Sequence, residues 1–155
     1  MWREKYDTSE TTQGLPSLEN YQCDSIIQGY VSITPEIRVR KKGNKYYLTE
    51  KGEGLMAREE NEAQISQDEF EMLFSITEGR TIEKTRYYID IGKYTAELDV
   101  YSGKHEGLIT VEVEFPSVDE AMLFEAPTWF GRELTNDERY RNKNLALSGK
   151  TPLST

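Results

Sequence analysis

The stretch "LITVEVEFPS", Leu108 to Ser117, is made of strand-forming residues, yet Glu112 and Glu114 lie two apart within it. Successive side chains of a strand point to opposite faces. Val111, Val113 and Phe115 therefore share one face and the two carboxylates share the other. Taken alone, this is the half-solvated strand of an antiparallel sheet, whose outer face is polar.

The same division recurs outward from it. Ile37 and Val39 oppose Glu36, Arg38 and Arg40; Thr85 and Tyr87 oppose Lys84 and Arg86; Leu98 and Val100 oppose Glu97 and Asp99. Arg58, Glu60 and Glu62 share a face, as do Thr49 and Lys51. The polar faces are almost purely charged, and the charges come as like-sign doublets. Like charges two apart on a strand repel mildly and do nothing for the fold. Doublets of both signs on neighbouring strands suit a ligand with many negative oxygens together with cations. Phosphate oxygens take arginine and lysine; Mg2+ or Mn2+ takes carboxylates.

Two hairpins are expected, "EIRVRKKGNKYYLTEKG" turning at Gly43-Asn44 and "IEKTRYYIDIGKYTAELDVYSG" turning at Gly92-Lys93, with "AREENEAQIS" as a further strand. Three helices are expected from capping boxes: Ser66 with Glu69, Ser117 with Glu120, and Thr135 with Glu138 before "RYRNKNLALS". Pro127 stops the second helix and Gly149 suits the end of the third. Phe70, Leu73 and Phe74 form one apolar stripe on the first. If the helices cover the apolar side of the sheet, the charged side becomes a lumen or cleft, and closure into a barrel would remove the edge strands. The first thirty residues read as loop-rich.

Bulk properties limit the alternatives. A chain of 155 residues suits one domain spanning 1–155, with residues 1–14 as a divergent N-terminus and 149–155 as a flexible tail. The formal net charge is -9, a poor match to a nucleic-acid partner. Cys23 is the sole cysteine and His105 the sole histidine, so disulfides, zinc sites and histidine-based triads are disfavoured. His105, in "SGKHEG", reads as a surface residue. There is no apolar leader or run of membrane-spanning length, so a cytoplasmic protein is expected, with no membrane partner. Trp129 and Phe130 read as a loop anchor.

The pieces "IQGYVS", "EIRVRKKG", "YYLTEKGEG", "REENEAQI", "FEMLFSITEGRTIEKTRYYI", "AELDVYSG", "LITVEVEFPS" and "WFGRELTNDERYRNKNLA", in this order, resemble the CYTH family, the triphosphate tunnel metalloenzymes, and most of all its short bacterial members. The resemblance implies an α+β fold: an eight-stranded antiparallel β-barrel with a charged interior and helices packed outside. It implies phosphate contacts from Arg38, Arg40, Lys51, Arg58, Lys84, Arg86, Arg139 and Lys143, the last two on a helix that plugs one mouth. It implies Mg2+ or Mn2+ held by Glu112 and Glu114, with Asp99, Glu60 and Glu62 as further acidic positions. Tyr30 and Lys84 are the catalytic candidates, Lys84 acting to lower the Tyr30 pKa.

The expected activity is metal-dependent hydrolysis of inorganic triphosphate. The alternatives are an enzyme on an organic triphosphate (a thiamine triphosphatase, a nucleotide triphosphatase or a class IV adenylyl cyclase) or a non-catalytic polyphosphate- or nucleotide-binding module. A homodimer is compatible with the family. The chain departs from the family at its first strand. If Lys5 takes the place of the lysine in a Glu-x-Glu-x-Lys motif, Met1 and Arg3 stand where the glutamates belong, and Glu4 points away.

Overall fold

Strand alternation resolves into a single antiparallel sheet in the computed structural model, which describes residues 2–9, 14–52 and 60–152. In chain order the strands are β1 (Trp2–Asp7), β2 (Cys23–Ser32), β3 (Glu36–Lys42), β4 (Lys45–Lys51), β5 (Glu60–Ile65), β6 (Thr81–Ile91), β7 (Tyr94–Ser102), β8 (Ile109–Phe115) and β9 (Arg132–Glu133). Their spatial order is β5-β4-β3-β2-β6-β7-β8-β1-β9. The eight expected strands are present, and the two-residue β9 adds a ninth beside β1. Among the described residues the ladder does not join β5 to β9. The sheet nonetheless curls as a barrel does: Glu60 of β5 is among the carboxylates whose charge acts on Arg3 of β1, at the other end of the strand order.

Register decides which residues line the inside. Opposite partners across an antiparallel ladder share a face. Arg38 faces Tyr30 and Thr49, and Arg40 faces Gln28 and Tyr47. Lys84 faces Ile26 and Tyr101, and Arg86 faces Asp24 and Asp99. Glu112 faces Glu97 on one side and Lys5 on the other, and Glu114 faces Arg3. The charged doublets of six strands thus line one continuous inner surface.

The outer face is covered where the sequence is apolar. Helix α1 (Gln67–Phe74) starts at Ser66, whose side chain accepts from the Glu69 amide while Glu69 accepts from the Ser66 amide. It sets Phe70 against Tyr46 and packs on β2, β3 and β4. Helix α2 (Val118–Leu123) covers Val111, Val113 and Phe115; Phe130 fills the same core, stacked at 5.0 Å on Tyr6, so the loop-anchor reading holds. Only half of the second capping box forms. Ser117 accepts from the Glu120 amide, but the Glu120 carboxylate takes Lys93 and Tyr94 instead.

Three expectations need correction. The third helix, α3, spans Asn142–Ser148 rather than starting at Thr135; the Thr135 hydroxyl accepts from the Lys5 amide, and residues Glu138–Tyr140 form a separate 3-10 turn capped by Asp137. The early region holds two strands, β1 and β2. β2 was obscured by Gln28 and Gly29; Gly29 is required because a Cβ there would collide with the Thr77 side chain. His105 is buried, its Nε2 at 2.8 Å from the Leu145 carbonyl, because α3 folds over it.

Candidate functional site

The lumen has an apolar floor and a charged body. Tyr30, Ile82 and Tyr101 project from the inner face and meet Leu134, Tyr140, Leu145 and Ala146, so α3 and the preceding turn plug one end. The plug is tied to the wall. Lys5 Nζ donates to the Tyr140 carbonyl at 2.6 Å, and Lys143 Nζ lies 3.9 Å from Glu36 on β3. Lys143 therefore sits at the lumen as expected. Arg139 lies on the exposed 3-10 turn instead, clasping Asp137 at 2.7 Å, because the helix begins after it.

Above the floor, β2, β3 and β6 form a basic wall. Arg38 and Arg40 are largely buried and reach Glu60 and Glu62 of β5 only at 3.6 and 3.5 Å. Among the described residues, the buried side-chain polar atoms with no hydrogen-bond partner are Gln28 Oε1, Arg38 Nε, Arg40 Nε and Lys84 Nζ. All four belong to inner-face residues, and three are cationic donors. A buried donor without an acceptor costs free energy that a native protein ordinarily avoids. Their convergence on one surface marks a site for an anion.

Lys84 and Arg86 share a counter-ion. Asp99 Oδ2 lies 2.9 Å from Lys84 Nζ, close enough to pair charges although not aligned as a hydrogen bond. Arg86 grips the same carboxylate with two bonds of 2.8 and 3.0 Å and reaches Glu97 at 3.2 Å. Burial alone would raise Asp99, but the Lys84 charge and the Arg86 bonds hold it well below the ordinary carboxylate value. Burial would lower Arg86, and Asp99 more than reverses this. Burial pushes Lys84 down to about 8, with Asp99 only partly offsetting it. Asp99, expected beside a metal, is thus held by two cations. Tyr30 departs from expectation in sign: burial pushes its phenol up to about 12, with Arg38 as the nearest opposing charge, so it is a protonated donor at neutral pH.

Glu112 and Glu114 supply the hard oxygen donors that Mg2+ or Mn2+ takes. Both already meet a cation. Arg3 Nη1 lies 3.1 Å from Glu112 and Nη2 lies 3.0 Å from Glu114. Burial works against the Arg3 charge, but Glu112, Glu114, Glu97 and Glu60 raise its pKa on balance. Among the described residues no three acidic side chains converge as metal ligands. The donors fit a divalent ion in kind, with Arg3 lying over them.

Lys51 stands at the rim, paired with Glu36 at 3.1 Å. Arg58 lies outside the described residues. Sequence reasoning did not single out Glu97, Gln28 or Lys5 as site members. Glu97 was legible, since it alternates with Asp99. Gln28 was not, because one amide in a strand carries no charge pattern.

Residues 32–145 match the CYTH domain family. The chain is 50% identical over 129 residues to an inorganic triphosphatase of Nitrosomonas europaea, covering 78% of this chain and 83% of that protein. It is 41% identical over 122 residues to an inorganic triphosphatase of Acetivibrio thermocellus, covering 76% and 77%. A crystal structure of an inorganic triphosphatase superposes with a TM-score of 0.77 at 40% identity, covering 97% of this chain and all of that one.

Proposed function

The chain belongs to the CYTH domain family, and from that premise we propose that it hydrolyses inorganic triphosphate within the lumen. The observation that carries this reading is the set of unpartnered buried donors, Arg38 Nε, Arg40 Nε and Lys84 Nζ, on one inner wall. A linear triphosphate brings many anionic oxygens, and charge-assisted bonds to them would satisfy donors that the protein leaves open. The inorganic triphosphatases that this chain resembles at 50% and 41% identity support the choice of substrate.

Phosphoryl transfer asks a protein mainly for positioning and charge neutralisation. Arg38 and Arg40 would hold one end of the substrate. Lys84 and Arg86 would hold the other, giving up part of their hold on Asp99 as phosphate oxygens arrive. Lys51, Lys143 and Arg58 would draw the anion in at the rim, with Arg139 nearby. Tyr30, protonated, would donate to an oxygen rather than act as a base. Glu112 and Glu114, with Glu97, would hold Mg2+ or Mn2+, which would neutralise developing phosphate charge when bound. Glu60 and Glu62 balance Arg38 and Arg40 until substrate displaces them.

A second reading is favoured by one observation: Arg3 lies on both metal-binding candidates, which suits a triphosphate-binding module without turnover. Phosphate release from tripolyphosphate, thiamine triphosphate and ATP, each with Mg2+ or Mn2+, tests both. Release from tripolyphosphate alone supports the first. Binding without release supports the second. Preference for either organic triphosphate, or cyclic AMP from ATP, overturns the inorganic assignment. Among the described residues no helix is long and apolar enough to cross a membrane. The proposal extends to a cytoplasmic location and to a homodimer, which light scattering would read.

A further inference from the structure

We propose that Arg3 is a built-in cation standing in for a divalent ion between Glu112 and Glu114, so that the lumen of this chain takes up free divalent metal weakly until Arg3 is displaced. The inference rests on Glu112 and Glu114 facing the lumen, but it needs no turnover.

Backbone register forces the contact. β1 pairs with β8 so that Arg3 stands directly opposite Glu114, and Lys5 opposite Glu112. The Arg3 side chain then lies on the carboxylate face, between the two acids. One guanidinium nitrogen reaches each of them, at 3.1 and 3.0 Å. Planar guanidinium suits a two-carboxylate clamp better than a point charge does. Glu97 and Glu60 add attraction from β7 and β5. The remaining cations around the doublet are committed elsewhere: Lys5 to the Tyr140 carbonyl, Arg86 to Asp99 and Glu97.

Exposure gives the direction of approach. The Arg3 side chain is 56% exposed, against 27% for Glu112 and 35% for Glu114. An ion arriving from solvent meets the guanidinium before the carboxylates. It gains a doublet already half neutralised and must either sit beside a positive charge or push Arg3 out. A charged lumen that needs a second positive centre has one covalently attached.

The test is a Mn2+ titration of the full chain without phosphate, read by electron paramagnetic resonance of the free ion. A unit charge about 4 Å from a divalent ion in water is worth a factor of about thirty in affinity. Arg3→Ala is therefore expected to bind Mn2+ about thirtyfold more tightly than the native chain. Arg3→Lys keeps the charge and stays weak. Arg3→Gln keeps length and hydrogen bonding without charge; it matches Arg3→Ala and guards against a loss of fold there. Adding Glu112→Gln to either neutral variant removes the gain. Equal Mn2+ affinity in the native chain and both neutral variants overturns the inference, as does a gain that survives Glu112→Gln. None of these readouts uses hydrolysis, so failure of the triphosphatase assignment and failure of this inference are separate results.

Discussion

Replacing Asp99 with asparagine tests whether the lumen is built around a shared counter-ion. Asp99→Asn keeps the shape of the side chain and removes its charge. The side chains involved are sealed in: Lys84 is 0% exposed, Asp99 8% and Arg86 14%. The change leaves two buried cations facing a neutral amide, and Glu97 at 3.2 Å compensates only Arg86. Removing one partner of a buried ion pair costs about 3–5 kcal/mol, because the remaining charge is desolvated without relief. For a chain of this length each kcal/mol moves the melting temperature by about 2–4 °C. Asp99→Asn should therefore melt about 6–20 °C lower in a calorimeter. The second half of the test is rescue. Tripolyphosphate carries the negative charge that the variant lacks, so it should raise the melting temperature of Asp99→Asn more than that of the native chain. A variant that melts within about 2 °C of the native chain, or one that the anion rescues no better, would refute the shared counter-ion.

Lys84, held near 8 by burial, gives a pH signature. Its folded pKa lies below its unfolded one, so between about pH 8 and 10 the unfolded chain binds the extra proton and stability rises with pH. Affinity for tripolyphosphate runs the other way and falls above about pH 8 as Lys84 loses its charge; Lys84→Arg should hold it flat, and an unchanged profile in that variant counts against Lys84. Arg40→Met should weaken tripolyphosphate binding by about ten- to a hundredfold, the worth of a charged hydrogen bond, in isothermal titration. It should cost little stability, since Arg40 Nε has no partner to lose. Gly29→Ala should lower the melting temperature by several degrees through collision with Thr77, and Thr77→Ala in the same chain should recover part of it.

What the sequence made legible follows from the period-two rule. Strands that alternate apolar with charged residues, such as "VEVEF" and "EIRVR", display both their faces and their fate. Parity correctly put Arg38, Lys84, Asp99 and Glu112 on one surface. β2 has Ile26, Gln28 and Tyr30 on the inner face, with no charge to mark it, and its Gly29 is set by a contact with Thr77 that is forty-odd residues away in sequence. Contacts across that separation leave no local pattern. His105 failed for the same reason: a Gly-flanked histidine looks exposed until α3 packs on it from the far end of the chain.

Pairing between charges was the least legible feature, and it bears most on function. Parity says which side chains face inward but not which acid each base will choose. Asp99 could have faced a metal with Glu112; instead it is taken by Lys84 and Arg86, because their ladder partners on β6 stand directly beside it. Arg3 takes Glu112 and Glu114 for the same reason on the other side. A lumen whose acids and bases are already matched is stable without ligand, and any triphosphate must win its cations from resident carboxylates. The acids on the wall then repel the arriving anion wherever their partners are drawn away. Selectivity follows from that exchange. A ligand with a single phosphate group cannot replace Glu60, Glu62 and Asp99 together, whereas an extended triphosphate presents oxygens to Arg38, Arg40, Lys84 and Arg86 at once. Affinity should therefore fall steeply, rather than in proportion, from triphosphate to pyrophosphate to phosphate. A shallow series in competition binding would mean that the resident pairs are not displaced.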